Sequence, residues 1–126
     1  MTTTGKSPLP TSDALRSRVR DALASVGSSV TLDDPGAGGL NASSPINGDV
    51  LFTLRASSLE EADAAIAEAA QAFTTWRLTP APVRGALVAR LGELLVENKA
   101  ALASLVTIEA GKISSEALGE VQEMID

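Results

Sequence analysis

The chain has 126 residues, ten basic against sixteen acidic side chains, a formal net charge of −6, and neither cysteine nor histidine. These absences exclude disulfides, thiolate nucleophiles, imidazole bases and zinc sites of the Cys/His type from the chain itself. The acidic balance argues against a nucleic-acid surface, which needs a basic face to neutralise phosphates.

The charge is unevenly spread. Residues 1–30 carry Lys6, Arg16, Arg18 and Arg20 against Asp13 and Asp21, a net of +2, which leaves −8 for the remainder. Hydrophobic residues make up 44% of the chain, but many are alanine, and there are only two Phe, one Trp and no Tyr. Large side chains supply most burial free energy, so this composition predicts a weak core and helices that need a further surface to pack against. No apolar run approaches a membrane span, and MTTTGKSPLPTSD lacks the apolar centre of a signal peptide. The expectation is a soluble cytoplasmic protein with no membrane partner.

Residues 1–11 are rich in Thr, Ser, Pro and Gly and read as a disordered tail. Ser12 or Asp13 is suited to cap a first helix, DALRSRVRDALASV, with Leu15, Val19, Ala22, Leu23 and Val26 as its apolar stripe and Gly27 as its stop. Arg16 and Arg20 lie one turn apart and read as a solvated basic face. TLDDPGAGGLNASS, residues 31–44, lacks the GxGxxG spacing of a nucleotide loop and reads as a linker. Asn47-Gly48 predicts a two-residue type I′ hairpin, with Val50–Leu54 as its second strand. A single hairpin is marginal, so a larger sheet is expected around it.

Ser58 followed by Glu61 fits a capping box. A helix then runs to about Trp76, with Ala62, Ala65, Ile66, Ala69, Phe73 and Trp76 as its core side. Pro80 and Pro82 break the chain, and one long helix is expected from about Val83 to Glu109. Its buried side would hold Leu87, Leu91, Leu94, Leu95, Leu102, Leu105 and Val106, and Ala110-Gly111 would end it. Ser114 or Ser115 starts a last helix. That helix has no Gly, Asn or Pro to close it and no Lys or Arg in its last turns, so the chain reads as the opening of a longer protein.

Two places invite a chemical reading. Glu116, Glu120 and Glu123 fall at i, i+4 and i+7, so three carboxylates share one helix face. That face suits a cationic group of a substrate, although a solvated surface has the same pattern. Gly111-Lys112 fails as a phosphate loop, because the first glycine of that motif would have to stand where Val106 does. From the residues alone, the chain is a mainly helical acidic piece with one β-hairpin and no catalytic set of its own.

SPINGDV, AAIAEAAQAFTTW, PVRGALVARLGELL and EAGK resemble the N-terminal part of the aldehyde dehydrogenase family. The ending EAGKISSEALGEVQEMID, with PAPVRG at Pro80–Gly85, is similar to its antiquitin-type branch, which oxidises α-aminoadipate semialdehyde (cyclic form piperideine-6-carboxylate) in lysine catabolism. The resemblance covers roughly residues 43–126. It implies a truncated α/β fold of aldehyde dehydrogenase type, with 1–42 as tail, first helix and linker, and 43–126 as an incomplete part of an NAD-binding domain. It implies a homo-oligomeric parent that uses NAD on a small aldehyde, with a cysteine nucleophile, a glutamate-activated water and the NAD-binding residues all beyond Asp126. Catalytic and cofactor-binding residues are thus expected to be absent here. By the same resemblance, Glu120 or Glu123 borders the substrate, and a structural monovalent cation is held near Ser43 and Glu109. A competing reading is a non-catalytic helical interaction module or a shortened paralogue.

Overall fold

The computed structural model describes residues 8–126; the part of the expected disordered tail at residues 1–7 lies outside them. Five helices and one small sheet follow in the order α1 (Ser12–Ser25), β1 (Leu40–Ser43), β2 (Val50–Leu54), α2 (Leu59–Trp76), α3 (Ala81–Glu97), α4 (Lys99–Ala110) and α5 (Ser114–Ile125). This mostly helical arrangement with a two-stranded antiparallel sheet agrees with the expectation of a mainly helical piece with one hairpin. Among the described residues no helix is long and apolar enough to cross a membrane.

Thr11, one residue before the expected caps, closes the first turn of α1 by accepting from the Ala14 N–H at 3.3 Å. The apolar stripe then faces inward, and Leu15 is wholly buried against Leu51, Phe52 and Ile108. One expectation about the basic face changes. The Arg16 Nε donates to the Leu51 carbonyl at 2.8 Å, and the Arg20 guanidinium lies 5.1 Å from the centroid of the Phe52 ring. Arg16 is therefore drawn onto the β2 backbone, while Arg20 stays exposed, as expected, with its guanidinium over the Phe52 ring.

The stretch read as a linker is structured. Asp33 exchanges both backbone hydrogen bonds with Thr53 on one edge of β2, and β1 pairs with the other edge in the register Leu40↔Leu54, Asn41↔Thr53, Ala42↔Phe52 and Ser43↔Val50. A bulge falls between Ala42 and Ser43. Gly39 stands immediately before this strand, where its φ is +123° and a Cβ would lie 2.3 Å from the Leu54 carbonyl oxygen, so only glycine fits. The hairpin exists, but its turn is not type I′. Only Gly48 has positive φ. The Gly48 N–H bonds to the Ser44 carbonyl at 2.8 Å and the Ser44 N–H to the Asp49 carbonyl at 3.0 Å, so the loop is longer than two residues. Pro45 inside it holds φ negative and offers no N–H, which suits this wider loop.

The capping box of α2 is complete. The Ser58 Oγ accepts from the Glu61 N–H at 3.1 Å and the Glu61 carboxylate accepts from the Ser58 N–H at 2.8 Å. Arg55 grips the same carboxylate with both guanidinium nitrogens, at 3.0 and 2.9 Å. The Arg55 hydrogen bonds, then the Ser58 N–H, hold the Glu61 carboxyl down at about 2.

The expected core side of α2 is exposed. Neither α2 nor α3 buries a residue; Phe73 is 59% and Trp76 43% exposed. Leu87, Leu91 and Leu94 of α3 are exposed as well. The expected long helix is also two. It breaks at Asn98, whose φ and ψ of −106° and 10° leave the helical region and whose Nδ2 donates to the Leu94 carbonyl at 2.9 Å. An asparagine side chain competes for backbone partners in this way and so favours helix ends. After the break, α4 buries Ala103 and Ile108, and α5 lays Ala117 and Val121 on Ala103, with Leu102, Val106 and Ile125 around them. Small residues at this seam let the two backbones approach closely.

Leu15→Ala should destabilise the chain by about 2–5 kcal/mol, because the site is fully enclosed and collapses poorly; chemical denaturation reads this directly. Acidification should loosen the first turn of α2. The Glu61 carboxyl is depressed in the folded chain, so its contribution is present above its ordinary value of 4.5 and is lost as pH falls toward about 2. An NMR titration following the Ser58 and Glu61 amides should show that midpoint; a midpoint at the ordinary glutamate value would refute the capping contact.

Candidate functional site

The corner between α4 and α5 carries the expected site residues. Gly111 ends α4 in the left-handed region at φ +71°, and a Cβ there would lie 2.9 Å from Pro45 Cγ. Glycine is therefore required both for the turn and for the close approach of the β1–β2 loop. The adjacent Ser44 is buried, and its Oγ donates to the Ile108 carbonyl. Together these contacts fix the direction in which α5 leaves.

With Ala117 and Val121 turned inward, Glu116, Glu120 and Glu123 all lie on the exposed side of α5. The structure separates the three. Glu120 Oε1 receives a hydrogen bond and ion pair from Lys112 Nζ. This contact, with a weaker Coulombic pull from Glu116, raises the Lys112 pKa above its ordinary value. No side-chain hydrogen bond or ion pair joins Glu123 to another described residue. A face that reads as one acidic patch thus contains one paired carboxylate, one neighbour of the same lysine and one open carboxylate. The Lys112–Glu120 contact links residues eight apart, from the connection before α5 to α5 itself, so helical spacing did not point to it.

Ser43 and Glu109 are brought to one cleft of about 240 Å³ between α1, the hairpin and α4. The rest of its lining is apolar, including Val19, Leu51, Phe52 and Ile108, so these two supply its only polar side chains. Among the described residues no group of three or more Asp, Glu, His or Cys gathers as a metal cage. The fit to a monovalent cation is therefore partial, with one carboxylate and one hydroxyl from side chains. For a dinucleotide the fit is absent. Gly36, Gly38 and Gly39 have positive φ, but they lead into β1 and offer no helix N-terminus to a pyrophosphate.

Glu120→Gln should return Lys112 toward its ordinary titration near 10.5. The paired lysine contributes fully below that value and loses its contribution as pH rises through the raised one. NMR of the Lys112 side chain measures the change; an unshifted titration would show that the pair does not form.

Comparison with known proteins gives these features a family. The family model described as "Aldehyde dehydrogenase family" matches residues 34–126. Over 82 residues, 65% of the chain, it is 48% identical to malonate-semialdehyde dehydrogenase 2 of Geobacillus thermodenitrificans. Over the same length it is 43% identical to a putative aldehyde dehydrogenase family 7 member A1 homolog of Dictyostelium discoideum and 38% identical to the alpha-aminoadipic semialdehyde dehydrogenase of Bos taurus. The matched part spans 17%, 16% and 15% of those three proteins. The chain belongs to the aldehyde dehydrogenase family.

Proposed function

We propose that this chain is a segment of an NAD-dependent aldehyde dehydrogenase that oxidises α-aminoadipate semialdehyde, with its cyclic form piperideine-6-carboxylate, to α-aminoadipate. The observation that carries this reading is the family match over residues 34–126, which includes the α5 sequence that resembles the antiquitin-type branch. The relatives named for α-aminoadipic semialdehyde and family 7 support it. The chain itself supplies no nucleophile, and no step of the reaction is assigned to it. NAD, bound elsewhere in the parent, would accept the hydride.

The role of this segment is substrate-adjacent. Glu123 carries an open carboxylate on the exposed side of α5, while Glu120 is engaged by Lys112. An ionised carboxylate suits the α-ammonium group of the aminoadipate substrate through a charge-assisted hydrogen bond. This favours Glu123 over Glu120 for the contact. For the cation near Ser43 and Glu109, the support is their shared cleft; backbone carbonyls would have to complete the shell.

A second reading takes malonate semialdehyde as substrate, favoured by the 48% identity to an enzyme of that name. That substrate has a carboxylate and no ammonium group, so Glu123 would repel it. The two are separated by measuring kcat/KM of the full-length protein with both semialdehydes and with NAD or NADP. Glu123→Gln should raise KM for α-aminoadipate semialdehyde about tenfold or more, the worth of one hydrogen bond to a charged group, and lower KM for malonate semialdehyde by relieving the repulsion. A preference for malonate semialdehyde would replace the first reading. Loss confined to Glu120→Gln would move the contact to Glu120.

A further inference from the structure

The Asn47–Gly48 pair lies in the β1–β2 turn, apart from the acidic face of α5. The Asn47 Oδ1 accepts from the Asp49 N–H at 3.1 Å. This Asx turn folds the side chain back along its own backbone, toward the peptide whose nitrogen belongs to Gly48. Gly48 offers no side chain to obstruct approach, and nothing stands within 4 Å of the position a Cβ would take.

We propose that Asn47 is a deamidation site whose rate is governed by the docking of α1. The Gly48 nitrogen attacks Cγ of Asn47 and forms a new C–N bond. The Cγ–Nδ2 bond breaks, the side-chain nitrogen leaves as ammonia, and the proton lost from the Gly48 amide goes with it. Water then opens the cyclic imide at either carbonyl, giving aspartate or isoaspartate. No oxidant or reductant is needed.

Two sets of contacts restrain this reaction in the folded chain. The Gly48 N–H is committed to the Ser44 carbonyl at 2.8 Å. The Asn47 Nδ2 donates to Ser12 Oγ at 3.0 Å and to Asp49 Oδ2 at 3.3 Å, while the Ser12 hydroxyl donates to the same Asp49 oxygen. Ser12 is the first residue of α1, so movement of that helix away from the hairpin releases the amide. Deamidation would put a carboxylate beside Asp49 and remove the donor that joined them. Two like charges would then compete for one Ser12 hydroxyl, which weakens the seat of α1. The modification therefore runs one way: loosening favours the reaction, and its product favours further loosening.

The test is to age the full-length polypeptide carrying this segment in mildly alkaline buffer and follow Asn41, Asn47 and Asn98 by peptide mass mapping with isoaspartate detection. In urea, Asn47 should convert ahead of the other two. In the native protein it should be slower than in urea, and Ser12→Ala should accelerate it roughly threefold to tenfold, the change expected from losing one hydrogen bond that opposes opening. Separately, Asn47→Asp should speed amide hydrogen exchange in the first turns of α1 and leave exchange around Ala117–Val121 unchanged. The proposal is overturned if Asn47 is no faster than Asn41 and Asn98 in urea, if folded Ser12→Ala converts at the native rate, or if Asn47→Asp leaves α1 exchange unaltered. Should Ser12→Ala not fold, the Asn47→Asp exchange result decides.

Discussion

Leu15 is the point at which three distant stretches of the chain meet. Its wholly buried side chain touches the cluster formed by Leu51 and Phe52 of β2 and Ile108 of α4. With so few large apolar side chains buried, this cluster is the main apolar joint between the hairpin and the helices among the described residues. The polar contacts around this cluster act on the same joint. Arg16 holds the β2 backbone, Arg20 covers the Phe52 ring, and Ser44 ties the hairpin loop to the last turn of α4. Hydrophobic burial supplies the attraction without direction, and these contacts select one orientation. The direction of α5, and therefore the outward placement of its carboxylates, is inherited from that joint through Gly111.

The family model begins at residue 34, yet α1 lies before it and supplies Leu15, Arg16 and Arg20. A helix outside the matched segment is thus built into the packing of the segment that is matched. The arginines of α1 are divided: Arg16 holds the β2 backbone, Arg18 donates to Ser104 of α4, and Arg20 stays exposed over the Phe52 ring.

What was legible in the sequence was local chemistry. Ser58 and Glu61 announced a helix start because both halves of a capping box lie within one turn. Gly111 announced a helix end because few residues other than glycine accept its φ. Strand β1 was hidden in a Gly-rich stretch, since Leu40–Ser43 has neither alternation nor β-branched residues. The break at Asn98 was hidden by leucines on both sides of it. Periodicity correctly marked an apolar side on α2 and α3, but it carries no information on what covers that side, and among the described residues nothing buries it. At the candidate site, the shared carboxylate face was visible from spacing alone. Its division into paired and open carboxylates was not, because the lysine responsible stands before the helix begins, outside its periodicity.

The break at Asn98 also divides a single heptad-spaced row. Leu87 and Leu94 belong to the same seven-residue spacing as Ile108, yet the first two are exposed on α3 and the third is buried on α4. Side chains of the same kind, at the same spacing, therefore stand in different packing environments within this segment. Near Ile108, a change in volume is felt at once by Leu15 and Phe52, and substitutions are narrowly limited. Along α3, Leu87 and Leu94 meet no such neighbours among the described residues, so a change of volume there displaces nothing. One sequence pattern thus carries two different tolerances to a change of volume, separated by an asparagine.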